Sequence, residues 1–344
     1  MEGTSKILML YTGGTIGMVK DDHTQSLKPF NFEHLLSQIP EIGQMDCEIS
    51  TDSLDHPIDS SNMKPEHWLR LAKRIYTDYA HFDAFVILHG SDTMAYTSSA
   101  LSFLLENLGK PVILTGSQLP IGISRSDARE NLLTSLEIAI AKNEQGQAMV
   151  PEVAVYFEYD LFRGNRIHKI STEDFEAFQS LNYPKLAEAG VHIKYHKSVI
   201  NPHPSKPIKL NQNLCNEVAV LTTFPGMSQA YVEAVLNISN LRGLVLRSFG
   251  SGNAPTDAWF LEALRNKIEA GLVVVNISQC DGGGVIQGKY EASKGLLEMG
   301  VLSGQDISFE AGLTKLMYLL GENLSPSELK KAYETNLRGE LTQK

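Results

Sequence analysis

Cysteine is scarce. Three residues in 344, Cys47, Cys215 and Cys280, are odd in number and far apart, which excludes a disulfide framework and any paired-cysteine metal site and suits a reducing compartment. Long apolar runs are also missing. The chain opens with five apolar residues, Ile7 to Tyr11, and no small-residue cleavage site follows them, so neither a secretory leader nor a membrane span of about 18 residues is expected. Basic charge is in deficit, with 30 Lys+Arg against 40 Asp+Glu and a net charge of −10. A nucleic-acid backbone would be repelled rather than bound. Ten histidines form no His-x-x-x-His pair with a carboxylate, so no metal is expected. No fixed-period repeat and no low-complexity tract is seen. The expected protein is cytoplasmic, with no nucleic-acid or membrane partner.

What is present is a chain of 344 residues, 42% hydrophobic, enough for one large or two medium domains with proper cores. Ile7–Tyr11, Phe85–Leu88, Val112–Leu114, Val153–Phe157, Val218–Leu221, Leu244–Leu246 and Leu272–Ile277 are continuous apolar runs, the pattern of strands covered on both faces. Between them lie stripes at three- and four-residue spacing. Trp68, Leu71, Ala72, Ile75, Tyr76 and Tyr79 form one, Leu101, Leu104, Leu105 and Leu108 another, and Leu132, Leu136, Ala139 and Ile140 a third. These read as helices packed on the core, with no function of their own. Further helices are expected around Leu261, Leu264 and Ile268 and around Leu313, Leu316, Met317 and Leu320. Alternating β and α units imply an α/β fold with a doubly wound, mostly parallel sheet. Residues 196–214 turn polar, with Pro202, Pro204 and Pro207, and read as a linker. The expected organisation is a larger N-terminal α/β catalytic domain over 1–195, the linker, and a smaller C-terminal α/β domain over 215–344.

In open parallel sheets ligands bind beyond the carboxyl ends of the strands, so the residues just after each apolar run matter most. The first run is followed by Thr12-Gly13-Gly14-Thr15-Ile16-Gly17 and the second by His89-Gly90-Ser91-Asp92-Thr93. Paired glycines permit a tight turn, and both loops bring hydroxyls to one crevice. A Thr or Ser hydroxyl becomes a nucleophile once its proton is removed, and free N–H groups at a helix start stabilise an oxyanion. The plainer alternative is a helix cap or phosphate loop. However, neither Gly-x-Gly-x-x-Gly nor Gly-Lys-Ser/Thr occurs there.

Taken together, Tyr11 to Gly17 and Val86 to Met94 resemble the two signature segments of the bacterial-type L-asparaginases. Gly109 to Gln118, Arg163-Gly164-Asn165-Arg166 and Arg247 to Pro255 look like segments of the cytoplasmic, type I branch. The similarity runs from Lys6 to about Leu341. It implies hydrolysis of the side-chain amide of L-asparagine to aspartate and ammonia, without a cofactor, through a β-acyl-enzyme on the first-signature threonine, which Thr15 matches. Ser91, Asp92 and Lys169 match the hydroxyl, aspartate and lysine of the second catalytic group; a desolvated lysine can relay a hydroxyl proton, and an aspartate can hold the lysine or the substrate ammonium. Asp59-Ser60-Ser61-Asn62-Met63 resembles the substrate-holding loop, with Ser60 and Ser61 for the α-carboxylate and Asp59 with Asp92 for the α-ammonium. Without the resemblance, Ser60 or Ser61 reads as a helix N-cap before Pro65. Gln118 reads as a loop amide near the site, and His89 as a capping or packing residue.

Two departures from the family pattern stand out. Many members carry a tyrosine on the mobile loop after the first signature, whereas 18–29 contains none. Ser91 also replaces the usual threonine, which keeps the hydroxyl and loses only a methyl and its χ1 restriction. Gly17 could serve as the hinge of a water-excluding lid. Type I members assemble as tetramers built from tight dimers, and some are activated by asparagine at a second site, whose arginine and Ser/Thr-Gln-Cys segment match Arg247 and Ser278-Gln279-Cys280. Packing roles for Arg247 and Cys280 stand beside that reading. Glutamine side activity, a tRNA-dependent amidotransferase subunit, which carries an added N-terminal domain, a non-catalytic amino-acid sensor and a nucleotide-binding module are the alternatives.

Overall fold

The computed structural model describes residues 4–20, 27–29, 39–53, 57–288 and 291–342. Contacts divide the chain into two units, residues 1–180 with 184–212, and residues 181–183 with 213–344.

The first unit is built on an eight-stranded sheet. Its strands are β1 (Ser5–Tyr11), β2 (Cys47–Ser53), β3 (Ala84–Leu88), β4 (Val112–Thr115), β5 (Val153–Phe157), β6 (Asp160–Arg163), β7 (Ala187–Ala189) and β8 (Ile193–Tyr195). Their spatial order is β8-β7-β6-β5-β4-β3-β1-β2. β2, β1, β3, β4 and β5 run parallel, and β6, β7 and β8 complete the sheet antiparallel. The order 2-1-3-4-5 places the topological switch point between β1 and β3, where a crevice opens in this class of sheet. β3, β4 and β5 are buried at every residue, as continuous Val/Ile/Leu runs require. The doubly wound expectation therefore holds, with an antiparallel flank that the apolar runs did not announce.

Helices α1 (Pro65–Asp78), α2 (Met94–Leu104) and α3 (Ala128–Ile140) lie between the parallel strands. α1 starts at a proline, which suits the first helical position, and buries Trp68, Leu71, Ala72 and Ile75. α2 stops at Leu104, and Leu105–Glu106 pairs antiparallel with Lys209–Leu210. The stripe that ran on through Leu105 to Leu108 is thus divided between helix and strand, with Asn107 at φ 59 making the turn.

The second unit holds a four-stranded parallel sheet of β9 (Val218–Thr222), β10 (Gly243–Ser248), β11 (Val273–Ser278) and β12 (Leu302–Ser303), in sequence order. Helices α4 (Gln229–Leu236), α5 (Ala258–Glu269), α6 (Glu291–Glu298), α7 (Phe309–Gly321) and α8 (Pro326–Glu334) accompany it. Leu221, Val232, Leu244, Leu246, Phe260, Leu264 and Leu296 form one core cluster. The unit also buries an ion pair. Lys315 and Glu340 are both 0% exposed with Nζ and Oε1 2.5 Å apart.

Candidate active site

The loops that leave β1 and β3 meet at the switch point because glycines let their backbones touch. Gly13 and Gly14 have φ of 120° and 94°, open to glycine and rare for other residues. A Cβ on Gly13 would strike the Ile58 carbonyl, and one on Gly14 would stand 2.5 Å from the Gly90 nitrogen. Thr12 N bonds Leu88 O at 3.0 Å, and Ile58 N bonds Thr12 O at 2.7 Å. Gly14 and Gly90 immediately precede the two hydroxyls of interest, so stacking these glycines brings the Thr15 and Ser91 segments side by side. Thr15 opens a single 3₁₀ turn, Thr15–Gly17, and is half-buried while Ile16 and Gly17 are buried.

Ser91 and Asp92 stand on the short turn that leads into α2. Lys169 reaches them from the short strand His168–Lys169, which pairs with Phe178–Gln179. Its Nζ donates to Ser91 Oγ at 2.8 Å and to Asp92 Oδ1 at 2.7 Å. The lysine side chain is 16% exposed and the Asp92 side chain 60%, so the cation is sheltered and the carboxylate faces outward. Since Ser91 Oγ accepts from the ammonium, its own O–H is left to donate elsewhere.

Asp59, Ser60 and Ser61 adjoin this group through Ser60. Its Oγ would lie 2.5 Å from a Cβ on Gly90, and its carbonyl accepts from Thr93 Oγ1 at 2.8 Å. Asp59 caps the turn Ser60–Asn62 by accepting from Ser61 N at 3.0 Å and Ser61 Oγ at 2.8 Å. The backbone N–H of Ser61, then its hydroxyl, hold the Asp59 carboxyl below the usual carboxylate range. The cap and the binding-loop readings coexist, with Asp59 rather than a serine as the cap.

His89 is 0% exposed. Trp68 Nε1 donates to Thr97 Oγ1 at 3.0 Å, Thr97 Oγ1 lies 2.9 Å from His89 Nε2, and His89 Nδ1 lies 2.7 Å from Gly90 O. The chain of donors assigns a neutral ring with its proton on Nδ1, since Thr97 accepts from Trp68 and donates to Nε2. Burial pushes His89 down to about 4. Glu158 goes the other way, to about 7, through burial and the charges of Asp127, Glu130 and Glu176.

These two groups pull on stability with opposite signs. Between pH 6.5 and 4 the unfolded chain protonates His89 and the folded chain does not, so stability falls as pH drops through that window. Between pH 4.5 and 7 the folded chain keeps a proton on Glu158 that the unfolded chain releases, so stability falls as pH rises. Glu158→Gln should therefore raise unfolding free energy at pH 8 by on the order of 2 kcal/mol, with a much smaller gain at pH 5. Urea denaturation at the two pH values measures this, and an equal gain at both would assign the effect to packing instead.

Of the predicted lid, 18–20 pairs antiparallel with 27–29, and 21–26 lies outside the described residues. Tyr11, at the end of β1, is a tyrosine beside this turn that spacing alone does not single out. A Cβ on Gly17 would meet its hydroxyl, and burial pushes its pKa up to about 12.

Arg247, Ser278, Gln279 and Cys280 gather in the second unit, at the carboxyl ends of β10 and β11. Gln279 Nε2 donates to Arg247 O at 2.9 Å and to Thr223 O at 2.8 Å. Ser278 Oγ donates to Gly250 O at 2.6 Å and accepts from Cys280 N at 2.9 Å. The Arg247 guanidinium lies 4.4 Å over the Phe309 ring, and Cys280 is exposed. Among the described residues no group of three or more His, Cys, Asp or Glu is placed to hold a metal, and no helix is long and apolar enough to cross a membrane.

The chain matches the family model described as Asparaginase, N-terminal, over residues 6–201, and that described as Glutaminase/Asparaginase C-terminal domain over residues 217–333. It is 42% identical over 337 residues to L-asparaginase 1 of Escherichia coli K12, covering 98% of each chain. A crystal structure of L-asparaginase I from Vibrio cholerae superposes with a TM-score of 0.88 at 40% identity, covering 98% of this chain and 99% of that one. The L-asparaginase of Thermococcus kodakarensis superposes with a TM-score of 0.90 at 32% identity, covering 98% and 100%.

Proposed function

The chain belongs to the asparaginase family and is a hydrolase acting on the amide of asparagine, and from that premise we propose a specific chemistry for its crevice. Thr15 Oγ attacks the side-chain amide carbon of L-asparagine. The C–N bond breaks, the hydroxyl proton leaves with the nitrogen as ammonia, and a β-aspartyl ester remains on Thr15. Water then cleaves the ester, returning a proton to Thr15 and releasing L-aspartate. The observation that carries this reading is the Lys169–Ser91–Asp92 contact beside the glycine-stacked Thr15 turn. Lys169 orients Ser91 and supplies positive charge where negative charge develops on the amide oxygen. Asp92 and Asp59 offer carboxylates to the substrate ammonium, while Ser60 and Ser61 offer hydroxyls to its carboxylate.

The same reading extends to a cytoplasmic homotetramer, a dimer of dimers, with minor activity on glutamine. Activation by asparagine at the cluster of Arg247, Ser278, Gln279 and Cys280 is supported by the convergence of those side chains on one strand-end crevice. Such regulation requires two sites and two states. One measurement tests the core of this: ammonia release from L-asparagine and from L-glutamine over a wide concentration range. Release should favour asparagine, by the 10–200-fold that one methylene allows at about 1–3 kcal/mol. A sigmoidal asparagine curve would support the effector cluster. No release from either amide would replace the enzyme reading with that of an amino-acid sensor.

A further inference from the structure

The loop that follows β4 links the two halves of the Lys169–Ser91–Asp92 group, and it is gripped from behind. Asp127, at the start of α3, is 5% exposed and Asn131, one turn on, is 0% exposed. The Asp127 carboxylate accepts from Gln118 N at 2.8 Å and from Leu119 N at 3.1 Å. Asn131 Nδ2 donates to Gly116 O at 3.0 Å and to Asp127 Oδ2 at 3.2 Å, and its Oδ1 accepts from Glu158 N at 3.0 Å. Every polar atom of this buried pair is therefore occupied in holding backbone, and a buried network of that kind costs free energy when one member is removed.

The gripped loop reaches both ways. Towards Ser91 and Asp92, His89 N bonds Thr115 O at 2.9 Å, and a Cβ on Gly116 would collide with the His89 carbonyl. Towards Lys169, Gln118 Nε2 donates to Asp174 O at 2.9 Å. Asp174 closes a turn on Ser171, through Asp174 N to Ser171 Oγ and Ser171 Oγ to Asp174 Oδ2, each at 3.0 Å. That turn stands immediately after the strand bearing Lys169.

We propose that Asp127 and Asn131 are positioning residues, clamping the 116–119 loop so that it holds the Lys169 strand in reach of Ser91 and Asp92. The proposal rests on the amidase reading above and adds to it residues that never touch the reacting atoms. A shift of about 1 Å at such a contact is enough to cost 100-fold in rate. The substrate-holding loop, Asp59 to Ser61, is fastened on Gly90 and Thr93 instead, so binding should be spared.

Asp127→Asn tests this. An amide can accept from one of the two backbone N–H groups and presents its own N–H₂ to the other. With a native melting temperature confirming the fold, kcat for L-asparagine should fall at least tenfold while KM stays within threefold. Gln118→Met, which cuts the link to Asp174 and leaves the clamp intact, should lower kcat too. The double variant should be no worse than Asp127→Asn alone, because both changes act along one path. Hydrogen–deuterium exchange provides a readout independent of turnover: in Asp127→Asn, exchange should rise over 116–119 and also over 168–179. A folded Asp127→Asn enzyme with unchanged kcat, additive losses in the double variant, or faster exchange confined to 116–119 would each overturn the clamp. Wild-type protein without amidase activity would overturn the parent reading, and exchange would still decide the clamp. Should Asp127→Asn fail to fold, Gln118→Met decides alone: kcat and 168–179 exchange unchanged would refute it.

Discussion

Thr15→Ala is expected to lower kcat for L-asparagine by about 10³-fold or more while L-aspartate still binds. Only Thr15 combines a half-buried hydroxyl with a place on the turn packed against Gly90. Removing a nucleophile removes the covalent route outright, and its loss is not made up by the groups that assisted it. A 10³-fold loss corresponds to about 4 kcal/mol of barrier. The carboxylate and ammonium contacts assigned to Asp59, Ser60, Ser61 and Asp92 do not pass through Thr15, so titration calorimetry should give an unchanged affinity for aspartate. Thr15→Ser, which keeps the hydroxyl and loses the methyl, should retain much of the rate. Intact-mass measurement during turnover should find the aspartyl adduct in the wild type and not in Thr15→Ala. Near-normal turnover in Thr15→Ala would transfer the nucleophile to another hydroxyl, Ser91 first, and reverse the roles proposed for the two loops.

The two hydroxyl loops were legible in the sequence because strand periodicity and loop chemistry coincide there. Apolar runs such as Phe85–Leu88 can only be strands covered on both faces, and whatever follows them must emerge at a carboxyl edge. Lys169 was legible by family likeness alone: nothing in His168-Lys169-Ile170 distinguishes it from a surface lysine, and its partners, Ser91 and Asp92, are distant in sequence. The clamp was not legible at all. Asp127 and Asn131 have the spacing of an ordinary helix start, and their function depends on which loop they face, which is decided by packing. The tyrosine question has the same origin. The search was for a tyrosine in the lid, whereas Tyr11 approaches Gly17 from the preceding strand. The antiparallel flank escaped notice because β6 to β8 are short and, apart from Leu161 and Phe162, not apolar runs.

Lys315→Met should destabilise the second unit by about 3–5 kcal/mol, the cost of leaving one charge of a buried pair uncompensated. Lys315 Nζ donates to Tyr333 O and Thr335 O, each at 2.7 Å, besides its contact with Glu340. Glu340 in turn accepts from Leu337 N at 2.9 Å and from Arg338 N at 2.6 Å. The pair thus closes α7 onto the chain that leaves α8. In Lys315→Met the stranded carboxylate must either stay charged in an apolar setting or take up a proton, and each costs stability at neutral pH. Because protonation relieves the stranded carboxylate, the deficit of Lys315→Met should shrink as pH falls from 7 to 5. Glu340→Gln keeps an oxygen for one backbone N–H but strands the ammonium, which should also destabilise. The double variant Lys315→Met/Glu340→Gln should cost less than the sum of the singles, since neither charge is then left alone. It will not return to wild type, because the Tyr333 and Thr335 carbonyls lose their donor. Urea denaturation of the four proteins at pH 7 closes the cycle. Strict additivity would mean that the two charges are held separately by the backbone groups around them and not by each other.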